Sequence, residues 1–115
     1  MSARVVTGAR YGLRDWLAQR ITAAIMAVYT LIVLVSVSRW GEPLGYAVWR
    51  ELFAQGWMRV ATLVFAASLA WHLWVGVRDI LMDYVKPDGL RLALHALVLL
   101  LIAFYLGWTV EILWR

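Results

Sequence analysis

Three stretches of the chain carry no charged residue, and the polar positions crowd into the segments between them. Ile21 to Ser38 reads ITAAIMAVYTLIVLVSVS, Val60 to Val77 reads VATLVFAASLAWHLWVGV, and Leu92 to Val110 reads LALHALVLLLIAFYLGWTV. At 18, 18 and 19 residues, each is close to the ~20 that carry a helix across a hydrocarbon layer about 30 Å thick. With short flanks they predict an all-α, integral membrane fold in one domain, its three transmembrane helices spanning approximately 20–39, 59–82 and 90–113. Ser36-Val37-Ser38 loosely imitates a signal cleavage site. A signal's apolar region has only about 7–15 residues, however, and two more spans follow, so the first stretch predicts a permanent helix.

The connectors refine this layout. GEPLGYAVWRELFAQGWMR opens on a turn, Gly41-Glu42-Pro43, and then sets Val48, Trp49, Leu52, Phe53, Gly56 and Trp57 at helical spacing, with Arg50 and Glu51 opposite. That pattern predicts a short interfacial helix between helices one and two. The second connector, Asp83 to Gly89, is short, so the second and third spans are antiparallel neighbours. No internal repeat, linker or low-complexity segment interrupts the pattern.

Composition excludes the soluble alternatives. Hydrophobic residues are 64% of the 115 and charged ones 16%, against roughly 45–50% and about 25% in soluble proteins. A water-soluble body this small cannot hide that much apolar surface. With no cysteine there is no disulfide framework, thiolate metal site or cysteine nucleophile. A net charge of +4 would suggest nucleic acid in a soluble protein, but here the charges flank the spans, so the expected partner is the lipid bilayer and no nucleic acid. Arg4, Arg10, Arg14, Arg20, Arg78, Lys86 and Arg91 fall on one side of three spans, and Arg39, Arg50, Arg59 and Arg115 on the other. Basic residues are retained in the cytoplasm during insertion, which predicts a cytoplasmic N-terminus. Trp16 then lies at the inner interface and Trp40, Trp49, Trp57 and Trp114 at the outer one, where indole rings favour the headgroups.

The second span is unusually polar. Ser68, His72, Gly76, Asp79 and Asp83 stand at i, i+4, i+8, i+11 and i+15, a single narrow arc that faces one neighbour or one cavity. His72 lies about 16 Å along the axis from Asp83, near mid-membrane. One reading is a hydrogen bond to an adjacent helix; the other is an axial haem ligand, with Gly76 one turn away leaving room for a flat macrocycle. His95 lies only four residues past Arg91, about 10 Å shallower, so a bis-histidine haem would take its second ligand from another chain. His95 itself reads as an interfacial residue.

Three further residues carry paired readings. Arg20 at the inner end of the first span either snorkels to phosphates or pairs with a buried carboxylate such as a haem propionate. Tyr84 and Asp83 are either an aromatic-belt residue and a solvated acid, or the hydrogen-bond donor and titratable group that quinone reduction requires. Ala23, Ala27 and Thr30 form a small-residue face suited to close helix packing.

Taken together, His72, Gly76 and Asp83-Tyr84-Val85-Lys86-Pro87, with Arg14-Asp15-Trp16 and Arg20 upstream of three spans, closely resemble the smaller of the two hydrophobic membrane anchors of bacterial succinate dehydrogenase. The resemblance covers nearly the whole chain. It implies a subunit with no succinate site of its own, in a bacterial inner membrane complex with a flavoprotein, an iron–sulfur subunit and a second membrane anchor. It also implies haem b shared between the two anchors, with His72 as this chain's iron ligand and Arg20 near the propionates, and ubiquinone held by Tyr84 beside Asp83. Asp79 departs from the glutamine expected there, and either alters the local potential or pairs with Arg78. The competing function is a small structural or assembly membrane protein without cofactor. A transporter component fits less well, since the spans hold only His72 and His95 as ionisable groups and no repeat.

Overall fold

The computed structural model describes the backbone of residues 2–41 and 43–115 and the side chains of residues 12–41 and 43–115. The side chains of Arg4 and Arg10, which enter the charge asymmetry, and Glu42 of the expected turn lie outside the described residues. Four helices follow in order: α1 (Ser2–Ser38), α2 (Tyr46–Ala54), α3 (Gly56–Tyr84) and α4 (Asp88–Leu113). The three uncharged stretches each fall within one helix, and three helices are long and apolar enough to cross a membrane.

The helix boundaries follow from the backbone chemistry. The two prolines of the chain, Pro43 and Pro87, both sit in connections, where a missing N–H and a fixed φ do no harm. Pro87 caps α4 at φ −64°, ψ 127°, leaving only Val85, Lys86 and Pro87 between α3 and α4. This tight link holds the two helices antiparallel and in contact.

α2 is the expected short helix, yet it ends sooner than its apolar spacing predicts. Gln55 takes an extended conformation, φ −75°, ψ 129°, and serves as both the last cap of α2 and the first of α3. Gly56 and Trp57 therefore belong to α3, not to the interfacial helix. The apolar spacing ran through the break because an elbow of one residue leaves the hydrophobic sequence uninterrupted. Val48 and Leu52 of α2 and Met58 of α3 are buried at this elbow, so the best-packed apolar cluster fastens the short helix to the long one.

α3 is the central element, with α1, α2 and α4 packed against it. Beyond the elbow Val75 of α3 is also buried, but α4 has no buried residue, and Leu92, Leu100, Phe104 and Tyr105 are largely exposed. In water such a surface would be untenable, since apolar burial is the main favourable term in folding. Hydrocarbon removes that cost, and backbone polarity is satisfied inside each helix.

Candidate functional site

Because lipid is as apolar as leucine, α1 and α3 are held together by packing and by polar contacts across their seam. Three such contacts are spaced seven residues apart on α1, two helical turns each, and so share one face. Tyr29 hydroxyl bonds to Thr62 Oγ1 at 2.7 Å, and its ring stacks on Phe65 at 4.5 Å between centroids. Thr22 Oγ1 bonds to His72 Nδ1 at 3.0 Å. At the far end Arg78 pairs with Asp15. Residues rising along α1 meet residues falling along α3, as antiparallel helices require.

The arc of polar residues on α3 meets this seam. His72 and Asp79 line a groove of about 560 Å³ together with Asp15, Trp16, Gln19 and Arg20 of α1. A Cβ at Gly76 would stand 3.9 Å from the Gln19 side-chain nitrogen, so this position also faces α1. Asp79 and Asp83 line an adjoining groove of about 540 Å³ with Arg14, Asp15 and Arg78. Ser68, the first member of the arc, is buried.

The chemistry of the larger groove is set by hydrogen-bond bookkeeping at Thr22. Its hydroxyl lies 2.7 Å from the Ala18 carbonyl and 3.2 Å from that of Gln19. Carbonyls only accept, so a hydroxyl proton directed to the helix backbone leaves Thr22 Oγ1 able to accept from an imidazole Nδ1–H. The other ring nitrogen of His72, Nε2, is not engaged by Thr22. Arg20 supplies the positive charge of the same groove, its guanidinium 5.4 Å from the centroid of the Trp16 ring. The buried Oε1 of Gln19 has no hydrogen-bond partner among the described residues, which leaves an acceptor beside the groove.

His72 and Arg20, singled out separately, are thus brought to one groove. Asp83 lies one groove away, and Tyr84 ends α3 beside it, 79% exposed. His95 is elsewhere: its Nδ1–H donates to the Arg91 carbonyl at 2.7 Å and its ring meets Trp74 edge-on at 5.6 Å. One of the two readings of Asp79 is overturned. Arg78 pairs with Asp15 and not with Asp79, because the helix seam offers a closer carboxylate than a side chain one residue along. Within the chain the side of α1 packed on α3 is that of Thr22 and Tyr29, while Ala23, Ala27 and Thr30 of the small-residue face are exposed. Thr22, Tyr29 and Thr62 were not singled out from sequence. Their signal is faint, since a threonine in a span ordinarily bonds back to its own helix.

The family profile for the succinate dehydrogenase/fumarate reductase transmembrane subunit matches residues 2–108. The chain belongs to this family. It is also 42% identical over 105 residues, 91% of its own length and 90% of the relative's, to the succinate dehydrogenase hydrophobic membrane anchor subunit of Coxiella burnetii. A membrane anchor subunit of the succinate dehydrogenase/fumarate reductase family accounts for the outward apolar surface of α4 and α1, which lipid and neighbouring subunits would cover. It also gives a setting to the groove at His72, which has walls from α1 and α3 and is open on its remaining side.

Proposed function

We propose that this anchor, together with a second anchor chain, holds haem b and forms part of a ubiquinone reduction site in a succinate:ubiquinone oxidoreductase. Its companions in the bacterial inner membrane are the second anchor, an iron–sulfur subunit and a flavoprotein, with the N-terminus of this chain in the cytoplasm. One observation carries the reading: His72 Nδ1 lies 3.0 Å from Thr22 Oγ1, and His72 lines a groove that also holds Arg20.

The residues fit haem on chemical grounds. A histidine that would hold the haem iron needs one nitrogen free, and the Thr22 contact engages only Nδ1. Propionates ask for a cation, which Arg20 provides on the inner side of His72. A volume of about 560 Å³ is in the range of ~300–1,000 Å³ for small-molecule and cofactor sites. Among the described residues no cluster of three or more metal-ligating side chains exists, and haem needs none, because its iron takes only axial ligands from protein. Bound there, haem b supplies a one-electron redox centre.

At the inner end, this chain contributes the groups that a quinone needs. The Tyr84 hydroxyl donates to a ring carbonyl, and Asp83, near the aqueous face, holds a proton for delivery to that oxygen. Arg78, held by Asp15, keeps a positive charge in the groove that Asp83 lines.

A second reading keeps one observation on its side: Thr22 already satisfies one nitrogen of His72, as in a purely structural seam. The reduced-minus-oxidised absorbance spectrum of the purified complex separates the two. Haem bands are expected; His72→Ala should shift or abolish them, and His95→Ala should leave them intact. Wild-type bands in the His72 variant would refute ligation by His72, and a complex devoid of haem would select the structural reading.

A further inference from the structure

Among the described residues four threonines bond back to the carbonyl four residues earlier: Thr22 to Ala18, Thr30 to Met26, Thr62 to Met58 and Thr109 to Tyr105. Thr22 and Thr62 do more. Each hydroxyl also meets a polar atom across the seam, His72 Nδ1 at 3.0 Å and the Tyr29 hydroxyl at 2.7 Å, and with its own proton on the helix carbonyl it would accept from each. The two constructions are alike, but only one ends on a titratable ring that lines a groove with Arg20 and Asp79.

A neutral imidazole has two tautomers, and one of them puts its proton on Nε2 and has no lone pair to give there. Were His72 in that form, its bare Nδ1 would need a donor 3.0 Å away. Thr22 would then have to withdraw its proton from Ala18, leaving two oxygens facing each other at 2.7 Å. Thr22 is buried at 8% exposure, so water is poorly placed to relieve that clash. The threonine therefore selects the tautomer.

We propose that Thr22 is the positioning residue of the haem ligand: it holds His72 as the Nδ1–H tautomer, aims Nε2 into the groove and raises its strength as a donor. The inference rests on the haem reading of the groove. Drawing the Nδ1 proton toward oxygen moves electron density to Nε2, and the Ala18 bond makes the Thr22 oxygen a better acceptor in turn. A stronger axial donor favours the oxidised iron, so the native bond lowers the haem potential.

Redox titration of the assembled complex reads this directly. Thr22→Val removes the hydroxyl at constant shape and should shift the equilibrium about tenfold toward reduced iron, a rise of about 59 mV for one electron. Thr22→Ser keeps the hydroxyl and should titrate as wild type. Thr62→Val, which breaks the equivalent bond to Tyr29, should also leave the potential unchanged. Should the valine variant not assemble, Thr22→Ala removes the same hydroxyl without bulk and is held to the same expectation. An unshifted potential in the hydroxyl-free variant, or a serine variant displaced as far as valine, would overturn the role of Thr22 while His72→Ala still loses the haem bands. Unchanged bands in His72→Ala would instead remove the haem reading, and this inference with it.

Discussion

Arg78 of α3 pairs with Asp15 of α1, 63 residues away, and leaves its neighbour Asp79 facing the His72 groove. The side chains of the pair are 33% and 36% exposed, so solvent screening holds the worth of the contact to about 1 kcal/mol or less. Asp15→Asn should accordingly lower the melting temperature of the detergent-solubilised complex by only a few degrees. The exchanged pair, Asp15→Arg with Arg78→Asp, should recover most of that loss. If the double variant is no more stable than the worse single one, the two residues are not coupled across the seam.

Asp79 carries the sharper consequence. With Arg78 engaged elsewhere, its negative charge shares the groove with Arg20 and His72, and a negative charge beside a redox centre favours the oxidised form. Asp79→Asn should therefore raise the haem potential while leaving the wavelengths of the haem bands in place, because no ligand to the iron changes. A potential unmoved by this substitution would mean that its carboxylate is screened by water or held by another protein of the complex.

The fold was largely legible because a membrane span announces itself by what it lacks. Ile21 to Ser38, Val60 to Val77 and Leu92 to Val110 each became one helix with no further information. The arc from His72 to Asp83 was legible for the complementary reason, since polar residues in a span need a partner and their spacing fixes their direction. Thr22 was not legible: a span threonine bonds to its own backbone whether or not a histidine stands opposite, and that choice depends on the rotation of α1 against α3. The break at Gln55 was hidden by apolar spacing that continues through Gly56 and Trp57. Pairing with Arg78 was one of two readings of Asp79 because sequence shows neighbours along the chain, whereas the partner of Arg78 lies across the seam.

Orientation can be tested apart from any cofactor. The Asp15–Arg78 pair ties the N-terminal half of α1 to the last turns of α3, and Arg91 Nε donates to the Val85 carbonyl at 3.1 Å, so these basic residues gather at one end of the molecule. Lys and Arg of short flanks are retained in the cytoplasm. A reporter fused at Lys86 should be active in its cytoplasmic form, and one fused after Arg115 in its exported form. Export of the Lys86 fusion would reverse the topology and move Tyr84 away from the side on which the iron–sulfur protein would dock.

Tyr84 and Asp83 end α3 together, one largely exposed and the other lining the groove of Arg14, Asp15 and Arg78. If Tyr84 only belonged to an aromatic belt, its ring would matter and its hydroxyl would not. Tyr84→Phe keeps the ring and deletes the hydrogen bond, so any change in rate reports on the bond alone. A bond that strengthens as the quinone carbonyl gains charge stabilises the transition state more than the ground state. Its loss should slow quinone reduction by roughly tenfold or more, which corresponds to about 1.4 kcal/mol. Succinate oxidation assayed with a soluble acceptor that takes electrons upstream should not change, because the dicarboxylate site would lie on another chain of the complex. Asp83→Asn should lower the same rate and add a dependence on pH if the carboxylate passes protons. Equal loss of both activities would trace the effect to failed assembly, and full quinone reduction in Tyr84→Phe would return the tyrosine to the headgroup belt.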